Sequence, residues 1–458
     1  MVIKDLFLRN TVEEILNGYK NKTIDPLDVA ESCINRYEEL ESKYMAWVCF
    51  DKDFLLRRAE ETKKRIDEGC TIRPLDGIPI GVKDIFNTAE FPTQMGSPLW
   101  MDFMPGNDAR VVFYLKKAGA IIPGKTITAE FAVHTPDKTL NPHDVTKTPG
   151  TSSSGSAVAI ALGMVPVALG TQTAGSIVRP ASFCGVYGCK PSFGLLPRTA
   201  ILKTTDSLDT PGFFTARVED LPRVFDVLRV HGPNYPFSHA ALSDQSRQNK
   251  PSNRPWRVAL VRTHTWKYAY PYAKEAFIDF AKRMSEVGDI EVIEVDLPDN
   301  MKNTHEIHAT IYNKTLSYYF KDEFKKSELV SPIMNALIRD GQMVTFEEYK
   351  QTLSEQKRLI CLMDDFMQHY DAMISLSTAG EAPFRNDIEK PDPALMWTMT
   401  HLPVISAPVF TSPKGLPFGV QLVARKYNDL LLFKFASYLR SMDLIPPGVN
   451  PLVSELDI

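Results

Sequence analysis

Apolar positions recur with helical spacing through the first seventy residues. Leu27, Ala30, Ile34 and Tyr37 fall on one helical face. Asp25-Pro26 ahead of them reads as an N-cap with proline in the first turn. Thr11-Val12-Glu13-Glu14 is a capping-box pattern, and a third helix is predicted from Asp53 to Glu68. From Leu75 the period changes. "GIPIGVKDIF" predicts a short strand, Ile78 to Val82, that stops at Lys83-Asp84. "ARVVFYLKKAGAIIPGKT" predicts a helix, a stop at Gly119, a buried strand and a turn. "WRVALVRTH" and "AKEAFIDFAKRMSEVGDIEVIEVDLP" predict strand, helix, strand. "DAMISLSTA" is a further buried strand, and "PVISAPVFTSPKGLPFGVQLVA" a hairpin turning at Pro413-Lys414-Gly415. "NDLLLFKFASYLRSM" is the final helix. Helix and strand patterns alternating in this way define an α/β fold class.

Two stretches interrupt the pattern. Gly232 to Pro255 is polar, holds four prolines, and reads as a long surface loop. Residues 301–370 read as mostly helical and carry Tyr312, Tyr318, Tyr319 and Phe320, which fits an insertion walling a pocket. No repeat of 20 to 50 residues and no low-complexity tract is apparent.

A third stretch carries candidate chemistry: "TKTPGTSSSGSAVAIALGMVPVALGTQTAGSIVRPASFCG", Thr146 to Gly185. A serine cluster stands on each side of an apolar segment. Taken alone, such clusters are turns and caps. Here the first opens a buried helix, "VPVALG" is a buried strand, and "TQTAGS" a turn beyond its end. A helix followed by a strand brings its two ends close, so both serine turns can meet at a sheet edge, where α/β enzymes often keep their sites.

Composition narrows the choices. The chain has 458 residues, 44% hydrophobic and 24% charged, which suits a globular protein with a large core. Lys+Arg total 52 against 56 Asp+Glu, for a net charge of -4. No basic block points to nucleic acid or an anionic membrane as partner. Charges come too early in "MVIKDLFLRNTVEEIL" for a secretory signal, and no apolar run reaches the roughly 20 residues of a spanning helix. Six scattered cysteines without CxxC fit reduced, mostly buried thiols in a cytoplasmic protein. Cys184-x4-Cys189 is a poor metal signal.

A serine nucleophile needs a base. None of the nine histidines stands in a triad context. His305-Glu306-Ile307-His308 lacks the HExxH pattern and reads as surface or helix-packing histidines. The G-x-S-x-G elbow is absent, and Ser354-Glu355-Gln356-Lys357 lacks the companion motifs of S-x-x-K enzymes. A lysine can replace histidine where burial and nearby hydroxyls keep it neutral. Lys83, after an apolar strand, is the best-placed candidate. Spacing alone favours a surface lysine at a strand end.

Together these segments resemble the amidase signature family. The resemblance rests on Gly77 to Asp84, "GKTITAEFA" at 124–132, "NPHD" at 141–144, "PGTSSSGSAVAIALG" at 149–163, "ALGTQTAGSIVRPASFCGVYGCKPSFG" at 168–194 and "GLPFGVQLVAR" at 415–425. The serine block and the "AGS" block stand 24 residues apart, as in the family. The resemblance implies an α/β/α sandwich around a large mixed twisted sheet with N-terminal helices. It implies a helical layer at 1–70, an amidase signature domain at 71–445 with a variable region at about 221–371, and a tail at 446–458. It implies a catalytic triad of Lys83 as base, Ser152 as the bridging serine held in a cis peptide, and Ser176 as nucleophile. The backbone N–H groups of Thr173, Ala174, Gly175 and Ser176 match the oxyanion loop.

The implied reaction is hydrolysis of a small linear amide through an acyl-enzyme, with no cofactor and no metal. The implied partner is a small-molecule amide, with no nucleic acid or membrane, in a chain that can form a homodimer. A glutaminase subunit of a tRNA-dependent amidotransferase, an esterase or acyltransferase, and a catalytically dead binding protein are the alternatives. Ser377 to Pro383, "STAGEAP", resembles branches acting on small amides, allophanate hydrolase included; that enzyme's additional C-terminal domain is expected to be absent. Gln172 departs from the family's acidic residue, Ala174 from a glycine, and Thr151 and Ser154 from glycines of the serine block. Arg179 stands three residues after Ser176 where many members place it at two, so an ion pair and a substrate contact are both open.

Overall fold

The structure is a computed structural model and describes residues 5–449. Eleven strands make one sheet: β1 (Trp47–Phe50), β2 (Ile80–Lys83), β3 (Gly124–Thr126), β4 (Val167–Gln172), β5 (Tyr187–Lys190), β6 (Thr210–Thr215), β7 (Trp256–Val261), β8 (Ile290–Val295), β9 (Ala372–Leu376), β10 (Val404–Thr411) and β11 (Pro417–Val423). Their order is β1-β3-β2-β4-β6-β5-β10-β11-β9-β7-β8. Parallel pairs lie on both flanks, β3-β2-β4 and β9-β7-β8. Antiparallel strands join them through the middle. The mixed α/β class and the large sheet agree with the sequence reading.

Local rules account for the N-terminal helices. Thr11 and Asp25 both close reciprocal capping boxes, with Glu14 and Asp28. The helix expected from Asp53 to Glu68 runs Lys52–Asp67.

Several readings need correction. The N-terminal segment is not wholly helical, because β1 joins the sheet edge against β3. β1 and β3 run so close that a Cβ on Gly124 would lie 2.0 Å from the Cys49 carbonyl oxygen, so glycine permits the ladder where the pattern predicts a turn. Ile121 contributes only an isolated bridge to Pro79. Gly232 to Pro255 is not all loop: Pro236–Ser243 is a helix with proline in its first turn, and it buries Ala241 and Leu242. Strands β5 and β6 were not apparent in the pattern. Of the expected tail, residues 450–458 lie outside the described residues, as do 1–4 of the N-terminal layer.

Three of the cysteines, Cys33, Cys184 and Cys189, are buried; Cys49 is half-buried, Cys70 and Cys361 are exposed, and all six are unpaired. Among the described residues no helix is long and apolar enough to cross a membrane.

Two helices matter most for the site. Ser154–Ala161 and Val178–Cys184 are buried at every residue. An all-round buried helix has no solvent face, so its position is fixed by packing alone. The first runs from the serine block toward β4, and the second follows the turn after β4. Because β2 and β4 are parallel neighbours, with Val82 opposite Leu169, Lys83 and Gln172 end at the same edge of the sheet.

Candidate active site

Lys83 is the last residue of β2, and its side chain is fully buried. Its Nζ reaches Ser152 Oγ at 2.8 Å, Ser153 Oγ at 3.0 Å and Thr171 Oγ1 at 3.2 Å. Burial lowers its pKa to about 7; the more distant Asp137 and Asp209 oppose this only in part.

Two other buried lysines show what is particular to Lys83. Lys125 lies 3.1 Å from Asp84, and a carboxylate holds an ammonium in its charged form. Lys190 donates to the carbonyls of Leu402 and Pro191, which can only accept. The partners of Lys83 are hydroxyls, which both donate and accept. They can hydrogen-bond the lone pair of a neutral amine. Burial also lowers the pKa of Lys125, and that of Lys190 to about 8; what sets Lys83 apart is that its partners are all hydroxyls.

The peptide between Thr151 and Ser152 is cis. Ser152 has no exposed surface, and its carbonyl accepts from Ala129 N–H. Ser153 Oγ donates to the Thr171 carbonyl, and Ser154 Oγ to Asp137. The serine block is therefore tied both to β4 and to the segment after β3.

Ser176 lies in the turn between β4 and the helix Val178–Cys184 and is 4% exposed. Among the described residues its hydroxyl has no hydrogen-bond partner. Nor do the N–H groups of Thr173, Ala174, Gly175 and Ser176 donate to any protein acceptor. A run of unspent N–H groups is an anion-binding concavity.

The turn is shaped from several directions. Gln172 Oε1 accepts from both Ile177 N and Val178 N at 2.9 Å, and its Nε2 donates to Thr398 Oγ1. Thr398 in turn donates to the Ala174 carbonyl at 2.7 Å. The amide oxygen thus does what an acidic residue would do at this position, capping the helix N-terminus. Replacing Gln172 by leucine orphans two buried N–H donors, which is expected to lower stability by about 2 kcal/mol or more and activity by roughly 10-fold or more. Thermal melts and turnover on one amide check both. Thr173 Oγ1 donates to Asp209, and His308 Nε2 lies 3.0 Å from the Thr173 carbonyl.

Arg179 is buried. It pairs with Glu389, and with Asp392 at 3.5 Å. The ion pair left open for Arg179 is thus present, and Arg179 also lines a cavity beside this turn. Asp392 in turn packs on the nucleophile turn, where a Cβ on Gly175 would lie 1.7 Å from its Oδ2.

A cavity of about 720 Å³ opens beside these loops. Thr151 and Ala174 line one side; His305, His308 and Tyr312 of the helix Thr304–Tyr319 line another. The insertion does wall a pocket. His308 is a buried wall residue of this cavity, beyond what its sequence context conveyed. Tyr312 belongs to the aromatic insertion expected to wall a pocket, whereas Asp392 carried no sequence signal. Among the described residues no group of three His, Cys, Asp or Glu side chains stands where it could hold a metal ion.

The site thus combines a buried lysine amine against serine and threonine hydroxyls with a turn of free N–H groups. The family model Amidase matches residues 28–433, and the chain belongs to the amidase signature family. Its members are amidohydrolases acting on amide C–N bonds, and so is this protein. Over 470 residues it is 27% identical to a glutamyl-tRNA(Gln) amidotransferase subunit of Clostridium acetobutylicum, covering 94% of this chain and 98% of that one. It is 30% identical to the corresponding subunit of a Picosynechococcus species, covering 87% and 91%. Among solved structures it resembles a chain from an inhibitor-bound vestigial protein complex that bears on the origins of an s-triazine catabolic enzyme. That match has 25% identity and a TM-score of 0.85, over 96% of this chain and 100% of that one.

Proposed function

We propose that this protein hydrolyses a small linear carboxamide to an acid and ammonia or an amine, through an acyl-enzyme on Ser176. Neutral Lys83 takes the Ser152 proton as Ser152 takes the one on Ser176 Oγ. Ser176 then attacks the amide carbonyl. The N–H groups of Thr173, Ala174, Gly175 and Ser176 receive the oxyanion. The relay returns a proton to the leaving nitrogen, and water repeats the cycle on the acyl group.

The observation that carries this reading is the Lys83 amine, buried among three hydroxyl oxygens with a pKa lowered to about 7. The free N–H run at the nucleophile turn adds support.

A fluorophosphonate probe is expected to label Ser176, with the label lost in Ser176→Ala. Folded wild-type protein that takes no label overturns the reading. The proton balance adds a second check. The active form is the deprotonated amine, so kcat/KM is expected to climb about tenfold per pH unit below pH 7 and level off above it. A flat profile across pH 5.5 to 7 counts against an amine base.

A glutaminase subunit of a tRNA-dependent amidotransferase is the second reading. The near full-length match to amidotransferase subunits favours it. It uses the same site and would appear as glutamine turnover that requires an added partner protein.

A further inference from the structure

Hydrogen-bonding capacity inside the 720 Å³ cavity divides by charge. The two arginines lining it are held by the protein. Arg179 is held by Glu389 and Asp392, and its Nε and Nη2 are enclosed. Arg385 donates to the carbonyls of Thr139 and Asp137. Lys390 is exposed at the rim.

Arg179 Nε and Nη2 and Asp392 Oδ2 lack hydrogen-bond partners but are enclosed, so away from the exposed Asp387 and Lys390 the capacity a ligand can reach belongs to neutral side chains. His308 must carry its proton on Nε2 to donate to the Thr173 carbonyl, so Nδ1 is a fixed acceptor. Nδ1 has no partner among the described residues and is not among the enclosed polar atoms. The Tyr312 hydroxyl and the His134 ring nitrogens are in the same state. All three residues line the cavity. The Tyr312 ring stands 5.3 Å from His308 and 6.5 Å from His134. Burial pushes both imidazoles down to about 3, so they are uncharged at neutral pH. It pushes the Tyr312 phenol up, so the hydroxyl keeps its proton.

We propose that His134, His308 and Tyr312 form the wall that recognises the acyl part of the substrate, and that the group they select is uncharged and polar, such as a second carboxamide or a ureido group. The inference rests on the amidase reading of Ser176 and names a substrate class for it. The wall offers acceptors on the two imidazoles and a donor on the phenol, which complements a group holding both N–H and C=O. A substrate carboxylate would have to draw Arg179 away from Glu389 and Asp392, leaving those two carboxylates without a counter-charge. A substrate ammonium would take the carboxylates from Arg179. The first exchange leaves Asp392, and the second leaves Arg179, as an enclosed charge without its partner, which is strongly unfavourable. An amino-acid zwitterion must open the same pair to seat either charge.

A matched-length series on wild-type protein tests this: glutaramide, glutaramate, glutamine and 5-aminopentanamide. Glutaramide is expected to exceed each charged amide in kcat/KM by roughly 100-fold or more. His134→Phe and Tyr312→Phe are expected to raise KM for glutaramide about 3- to 10-fold each, with kcat nearly unchanged. Both are expected to leave hexanamide, which has no second polar group, unaffected. Charged amides turned over as well as glutaramide would overturn the proposal. So would an equal loss of kcat on glutaramide and hexanamide in the variants, or no turnover of glutaramide by protein whose Ser176 takes the fluorophosphonate label. Absence of that label would instead bring down the catalytic reading beneath it.

Discussion

Lys83→Met is expected to lower turnover by about 10³- to 10⁴-fold while the protein stays folded, the usual scale of a general base. Methionine keeps the length of the side chain and removes the amine. Stability decides whether this loss is chemical. The Lys83 pKa is lowered from 10.5 to about 7 by burial. Between those values the unfolded chain binds a proton that the folded protein does not, so wild-type stability rises with pH across this window. Below about pH 7 the buried amine carries its full penalty, on the order of several kcal/mol. Methionine removes that penalty, while Ser152, Ser153 and Thr171 each lose a hydrogen bond of about 1 kcal/mol. The melting temperature at pH 7 is therefore expected to hold or rise, and its climb from pH 7 to 10 to flatten. Turnover at wild-type level would remove Lys83 as base. A variant that unfolds would show that the amine is a structural cation.

Gly175→Ala is expected to lower kcat by roughly 100-fold, the scale of a lost oxyanion donor, with KM changed far less. A Cβ there meets Asp392 Oδ2 at 1.7 Å, Cγ at 2.5 Å and Oδ1 at 2.7 Å. The whole carboxylate must move. Asp392 is also held by Ala394 N–H at 2.8 Å and by Arg179, so it cannot swing away without releasing both. The nucleophile turn is thus the part that shifts, and its N–H groups lose their aim. Steady-state kinetics on one amide, with a melt to confirm folding, gives the answer. An unchanged kcat would mean that the turn and the Asp392 segment move freely past each other.

Both predictions turn on groups with very different visibility in the sequence. Ser152 and Ser176 were legible because each sits in a local block of unusual composition. Small residues must stand where a chain turns tightly against a buried helix. An apolar strand ending in Lys-Asp, as at Lys83, is not distinctive by itself and gained its meaning from the family resemblance. The amphipathic N-terminal helices and the hairpin from Val404 to Val423 were legible from local pattern. Strands β5 and β6 were less so, because buried central strands with glycine and proline, "YGCK" and "TPGFFT", show no alternation.

The sequence by itself determined the class of fold and, through its resemblance to a family, the candidate serines and the lysine at a strand end. Each of these is written in residues close together in the chain, where backbone sterics and burial act within a few positions. Only the tertiary structure decided which buried lysine has hydroxyls alone as its partners. That depends on what lies across the sheet: hydroxyls around Lys83, Asp84 beside Lys125, carbonyls at Lys190. It alone set Asp392 on Gly175, Gln172 under two N–H groups, and His308 and Tyr312 on the cavity wall. These contacts join segments up to more than two hundred residues apart, as Gln172 and Thr398 are. Strand order and crossovers bring such segments together, and no period or motif in a single stretch of chain encodes that.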